Sequence, residues 1–85
     1  MILNKEKLKS KIIYRSYYRG SKEMDILVSS FVKSVINFLD ENELNLLDIL
    51  VNLDDENLLK LKNNLKTSVA INENKITKLF KEFNL

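Results

Sequence analysis

Apolar residues recur at steps of three and four along most of this chain, which is the spacing of amphipathic helices. The strongest stripe predicts a helix over residues 21–39, with apolar positions at Met24, Leu27, Val28, Phe31, Val35 and Phe38. A weaker stripe predicts a first helix over residues 4–18 that is capped by Asn4.

Three further helices follow from cap residues and leucine spacing. Asp40 with Glu43 predicts a capping box and a third helix that ends near Leu53. Asp54 predicts the N-cap of a fourth helix, and Asn72 that of a fifth.

The expected inward residues are Leu44, Leu47, Leu50 and Val51 in the third helix, Leu58, Leu59, Leu61 and Leu65 in the fourth, and Ile76, Leu79, Phe80 and Phe83 in the fifth. Residues 67–71 are expected to form a loop whose Val69 and Ile71 pack on the core. The pattern predicts an all-α fold, a compact five-helix bundle that forms a single domain over residues 1–85.

The composition also favours helices and limits the kinds of catalysis and metal binding that the protein can perform. The chain has 85 residues with one Gly and no Pro, so it has little of the turn chemistry that a many-stranded β fold needs. Because it has no Cys and no His, it cannot use thiol or imidazole catalysis or bind zinc through such ligands. The groups that remain for catalysis are carboxylate, amine, hydroxyl and phenol.

Charge is unevenly distributed, with a net +6 over residues 1–22, −8 over residues 23–59 and +4 over residues 60–85. Basic ends could bind a polyanion, but they equally suit a bundle whose elements attract one another or an acidic partner. The longest charge-free run, residues 26–32, is far shorter than the roughly 20 apolar residues of a membrane span. These features predict a cytoplasmic protein that is not bound to a membrane.

The least ordinary stretch surrounds the only glycine. Arg15 and Arg19 are the only arginines, and both lie within five residues of Gly20. A planar guanidinium grips a carboxylate or backbone carbonyls bidentately, which the more abundant lysines cannot do. Gly20 is expected either to take a positive φ or to let another backbone approach, and Glu23 and Asp25 follow in the first turn of the second helix. The alternative is that Gly20 is only a helix C-cap and that Arg19 caps the preceding carbonyls.

The adjacent tyrosines have two interpretations. Tyr14, Tyr17 and Tyr18 could stack on bases beside the arginines. Alternatively, Tyr14 and Tyr18 line one helix face and are partly buried, with their hydroxyl groups exposed to solvent. The spacing of four residues favours this second interpretation.

The run from Arg15 to Asp25, with Arg19, Gly20 and Glu23 at its centre, resembles the signature of the succinate dehydrogenase assembly factors. In bacteria these are the SdhE-type flavinylation factors, and the pattern is most similar to their alphaproteobacterial branch. The resemblance continues through the acidic step at Asp54 and Asp55 and more weakly to the last helix. It departs over residues 60–71, where a Trp, a Gly and a Pro that are common in the family are absent.

The resemblance implies a non-catalytic assembly factor that binds the flavoprotein subunit of succinate dehydrogenase, with that of fumarate reductase as a second candidate client. Such a factor promotes covalent attachment of FAD to a client His, and the client performs the chemistry. The resemblance therefore implies no catalytic residues, no metal site and no cofactor of the factor's own. The implied client interface comprises Arg19, Gly20, Glu23, Asp25, Arg15, Tyr17 and Tyr18, with Arg19 on client polar groups and Gly20 at a close backbone approach. A small helical nucleic-acid-binding protein or an antitoxin-like regulatory protein remains the alternative.

Overall fold

A computed structural model describes the backbone of residues 2–85 and the side chains from residue 5 onward. Its helices are α1 (Ile2–Tyr17), α2 (Lys22–Val35), α3 (Glu41–Val51), α4 (Asp55–Lys62) and α5 (Lys75–Glu82), with a 3-10 turn at Ile36–Phe38 after α2. Helix α1 packs on α2 and α3, and α5 packs on α3 and α4. The described part of the chain contains helices and no strand, which confirms the predicted all-α five-helix fold.

The core is formed where the apolar faces of all five helices meet. Its fully buried large side chains are Ile12, Val28, Phe31, Val32, Leu44, Leu47, Val51, Leu58, Ile76 and Phe80. The rings of Phe31 and Phe80 meet edge to face with centroids 5.2 Å apart, a geometry that adds to the burial energy of both rings. The predicted stripes of α2, α3 and α5 therefore supply most of this core.

Cap residues explain where α3 and α4 begin. Asp40 and Glu43 form the predicted capping box, with the Asp40 carboxylate accepting from the Glu43 amide at 2.8 Å. Asp54 caps α4 as predicted and accepts from the backbone and side chain of Asn57. The amide oxygen of Asn57 in turn accepts from the backbone N–H of Ser68 at 2.8 Å, which ties the loop before α5 to α4.

The predicted caps of α1 and α5 are wrong. Helix α1 already includes Ile2, so Asn4 lies inside it. Helix α5 is capped by Asn74, not Asn72, because the Asn74 side chain accepts from the Thr77 amide while Thr77 bonds back to the Asn74 N–H. A Lys stands three residues after Asn72, and a Lys side chain cannot accept that return bond.

Four apolar residues that were expected to face the core are exposed. Phe38 is 83% exposed because the 3-10 turn changes the helical phase after Val35, so that Ile36 and Leu39 are buried in its place. Leu59, Leu65 and Val69 are also exposed. Leu65 lies beyond the end of α4, which stops at Lys62.

Helix α4 ends in a Schellman motif centred on Asn64. The backbone N–H of Leu65 donates to the carbonyl of Lys60 at 2.7 Å, and that of Asn64 donates to Leu61 at 3.2 Å. Asn64 has φ of 58°, in the left-handed region where glycine is most common. Asn is the second most suitable residue there, so the helix ends without a glycine.

Candidate functional site

Residues 18–21 form the loop between α1 and α2, which we call the α1–α2 loop. Ser21 ends it as the N-cap of α2, with its hydroxyl accepting from the Met24 amide at 3.2 Å. Asp25, one turn into α2, reaches back and accepts from the backbone N–H of Arg19 at 2.6 Å. The start of α2 therefore fixes the path of the chain through this loop.

The side chain of Arg19 points into the protein and is only 8% exposed. Its Nε donates to Oδ1 of Asp55 at 2.9 Å, and its Nη1 and Nη2 donate to the carbonyls of Val51 and Leu53 at 2.6 and 2.5 Å. These two carbonyls lie at the C-terminal end of α3, where helix carbonyls lack intrahelical partners and carry partial negative charge. Arg19 thus joins the α1–α2 loop to the end of α3 and the start of α4.

The planar guanidinium of Arg19 therefore makes the predicted type of contact within its own chain, with one carboxylate and two backbone carbonyls. A longer contact of 3.4 Å from Nη1 to the carbonyl of Arg15 is its only bond to the preceding helix among the described residues. Capping of that helix, the simpler interpretation of Arg19, is thus a minor part of its role. The predicted contact of Arg19 with a client stays a prediction.

Gly20 does not take the predicted positive φ. Its N–H donates to Oδ2 of Asp55 at 2.7 Å, and a Cβ at this position would lie 2.7 Å from the same oxygen. Real Cβ atoms essentially never come so close to another heavy atom. The sequence predicted that another segment of backbone would approach Gly20. Within this chain, the group that lies close to it is the carboxylate of Asp55.

Other predicted site residues face solvent around the loop. Arg15, Tyr18 and Glu23 are exposed, and no hydrogen bond or ion pair among the described residues involves the Glu23 carboxylate. Tyr17 is 38% exposed, and its ring centroid lies 5.3 Å from the ammonium of Lys33. The predicted set thus divides into an exposed group and the inward pair of Arg19 and Asp25.

Tyr14 and Tyr18 form an exposed aromatic pair on α1 and the adjoining loop. Their ring centroids are 4.8 Å apart. The two residues are 64% and 74% exposed, so the expected partial burial of this face is wrong. The pair extends the exposed surface beside Gly20.

Asp55 is the member of the site that sequence reasoning missed. From the sequence, the acidic step at 54–55 is expected to cap a helix and forms part of the family resemblance, but no contact with the α1–α2 loop is predicted for it. Asp54 performs that role, which leaves the carboxylate of Asp55 to face the α1–α2 loop. The available signal was the presence of two acids where one is sufficient for a cap.

Within the described residues, no group of three or more Asp or Glu side chains is placed to hold a metal ion. In the same part of the chain, no helix has the length and apolar character required to cross a membrane.

Comparison with known proteins agrees with the resemblance seen in the sequence. A family model described as "flavinator of succinate dehydrogenase" matches residues 10–84. The chain is 33% identical over 57 residues to the mitochondrial succinate dehydrogenase assembly factor 2 of Arabidopsis thaliana. That match covers 67% of this chain and 30% of the relative, and no solved structure matches. Because the family model spans most of the chain, including the whole α1–α2 loop, the chain belongs to the family of flavinators of succinate dehydrogenase.

Proposed function

We propose that this protein is an assembly factor that binds the flavoprotein subunit of succinate dehydrogenase and promotes the covalent attachment of FAD to a client His. The observation that carries the proposal is the family match over residues 10–84. The flavoprotein subunit of fumarate reductase is a second candidate client. The FAD belongs to the client, and the factor has no cofactor of its own.

The factor acts by binding and leaves the chemistry to the client. Its sequence has no His and no Cys, so imidazole and thiol chemistry must come from elsewhere. Flavinylation requires the client His and the flavin to be held in a reactive arrangement. A factor that binds this client conformation more tightly than others raises its population and thereby the rate.

The exposed surface formed by the α1–α2 loop and the adjoining ends of α1 and α2 is the one through which we infer this binding. Arg15, Tyr18, Gly20 and Glu23 are solvent-facing there, with Tyr17 at the margin. Aromatic and Arg side chains are enriched among residues that dominate binding energy at protein interfaces.

Arg19 and Asp25 support this surface from below. The guanidinium of Arg19 already donates to three groups of its own chain, and Asp25 holds the Arg19 N–H. We infer that both residues influence client binding chiefly by holding the loop in place.

Glu23 offers a clean test because its carboxylate is exposed and contributes no described contact. In cells that lack the native factor, Glu23→Lys is compared with Glu41→Lys, which changes an exposed acid in the first turn of α3. Covalent flavin fluorescence of the client subunit on a denaturing gel reports flavinylation. A residue at a binding hot spot contributes about 2 kcal/mol or more, so we expect the Glu23 variant to bind client roughly 30-fold more weakly.

The Glu41 variant should label the client like the unmodified factor. Equal labelling by both folded variants would remove Glu23 from the interface. Full client labelling in the absence of any factor would overturn the proposed function. Gly20→Arg is a less direct test, because a side chain at position 20 collides with Asp55 before it meets any client.

A further inference from the structure

We propose that Asp55, which lies outside the Arg19–Glu23 string, is a positioning residue for the client-binding loop, and that its carboxylate is the reason position 20 must be glycine. This inference rests on the proposed function, since it assigns a role to Asp55 in the binding of the same client. It concerns a contact across 35 positions of sequence, between α4 and the α1–α2 loop.

Both oxygens of Asp55 are used by consecutive residues of the loop. Oδ1 accepts from Nε of Arg19 at 2.9 Å, and Oδ2 accepts from the backbone N–H of Gly20 at 2.7 Å. The Asp55 side chain is 26% exposed, so water competes only partly for these bonds. A carboxylate held at both oxygens has a defined orientation and gives the loop a defined position on α4.

A second carboxylate completes the arrangement. Asp25 of α2 accepts from the N–H of Arg19, and Asp55 of α4 accepts from the N–H of Gly20. Two successive backbone amides are therefore held by acids from two different helices. Loss of either acid would free one of these two amides and leave the backbone path at Arg19 and Gly20 less restrained, even though the Arg19 side chain would still bond the Val51 and Leu53 carbonyls.

The same carboxylate excludes a side chain at position 20. A Cβ there would lie 2.7 Å from Oδ2 of Asp55, so the carboxylate would have to move, and this movement would disturb the bonds that its two oxygens accept from Gly20 and Arg19. An internal contact therefore favours glycine at position 20. The competing explanation is that the client itself approaches too closely to tolerate a side chain at this position.

A double-mutant cycle separates these explanations. The dissociation constant for the purified client flavoprotein subunit is measured for the unmodified factor, Gly20→Ala, Asp55→Ala and the double variant. We expect Gly20→Ala to weaken binding about tenfold in the unmodified background and less than about twofold in the Asp55→Ala background, since the Cβ then has no carboxylate to displace. If Asp55→Ala does not fold, Asp55→Ser provides a short side chain at the same position.

Charge and shape are tested by Asp55→Asn against the matched control Glu56→Gln. Both remove one negative charge from the first turn of α4, but Glu56 pairs with Lys60 and has no described contact with the loop. Asn keeps one acceptor and turns an N–H₂ group toward the other donor. We expect Asp55→Asn to weaken client binding about tenfold and Glu56→Gln to change it less than twofold, with affinities corrected for the folded fraction from urea titrations.

Each outcome bears on a distinct claim. Absence of client binding by the unmodified factor would overturn the proposed function and this inference with it. If the unmodified factor binds, equal affinity of the Asp55→Asn variant would overturn the inference alone. An unchanged Gly20→Ala penalty in the Asp55→Ala background would do the same and would assign the glycine requirement to the client.

Discussion

The substitution Arg19→Lys tests whether the guanidinium holds the bundle together at the α1–α2 loop. Arg19 is 8% exposed and donates to Asp55, to the Val51 carbonyl and to the Leu53 carbonyl at 2.5 to 2.9 Å. These acceptors lie around the edge of one planar group. A lysine ammonium is a single point at the end of a flexible stem, so it can keep one of the three bonds with good geometry.

The expected cost follows from the two bonds that are lost. Hydrogen bonds to charged groups contribute about 1.5 to 3 kcal/mol each, and the loss is reduced where water can reach the acceptor. Because Asp55 is 26% exposed, we take about 1 to 1.5 kcal/mol for each of the two lost bonds and expect a total loss of about 2 to 3 kcal/mol. In a domain of this size 1 kcal/mol corresponds to about 4 to 8 °C, so the melting temperature should fall by about 10 to 20 °C.

Urea unfolding followed by far-ultraviolet circular dichroism measures this free energy. The matched control is Arg15→Lys, which changes the other arginine of the chain one turn earlier on an exposed face. Its effect should stay within about 0.5 kcal/mol, as for ordinary surface substitutions. The reasoning is refuted if both variants unfold at the same urea concentration with the same slope, because the internal contacts of Arg19 would then contribute nothing measurable.

Three further predictions concern the ends of helices and their charges. Because Asn64 has φ of 58°, Asn64→Ala should cost about 1 to 2 kcal/mol in urea unfolding, whereas Asn64→Gly should equal or exceed the unmodified stability. Burial lowers the pKa of Lys62, whose ammonium donates to the carbonyls at the end of α5. Lys62→Met should therefore lower the free energy of unfolding by about 1 to 2 kcal/mol, as measured by calorimetry. The control Lys60→Met should lower it by less than about 0.5 kcal/mol. The hydrogen bond from Lys75 lowers the pKa of Glu43 from its ordinary value of 4.5, so the stabilisation is complete above pH 4.5 and is lost as the pH falls through the lowered pKa. Glu43→Gln should therefore flatten the acid side of a stability profile recorded by urea unfolding, and an unchanged slope below pH 4.5 would contradict the pairing.

Local sequence signals were sufficient for most of the fold. The capping box at Asp40 and the apolar stripe of α2 depend on contacts within one helix or one turn, and such signals can be seen in a single segment. The prediction failed at Phe38, where a 3-10 turn replaced the last turn of α2 and rotated the apolar positions. It also failed at the start of α5, where two asparagines could each serve as a cap and the side chain of Thr77 favours the second.

The site was only half predictable for a different reason. The rarity of arginine and glycine marked Arg19 and Gly20 as unusual, and both lie in the same tightly bonded network. No local pattern indicates that the partners of Arg19 lie 32 to 36 positions away, at the junction of α3 and α4. That information is in the packing of the helices, so the inward direction of the guanidinium and the role of Asp55 required the structure.

The geometry of α2 explains how the acids that follow Gly20 come to lie in different environments. Successive residues of an α-helix are turned by about 100°, so positions two apart face nearly opposite directions. Met24 is buried in the core, and the residues on either side of it therefore diverge. Asp25 turns back to hold the N–H of Arg19, while Glu23 is left exposed to solvent. The acid three residues after the glycine is thus open to solvent, and the acid five residues after it is placed to bond the loop. Neither can replace the other, because moving a carboxylate by two positions would carry it to the opposite side of α2.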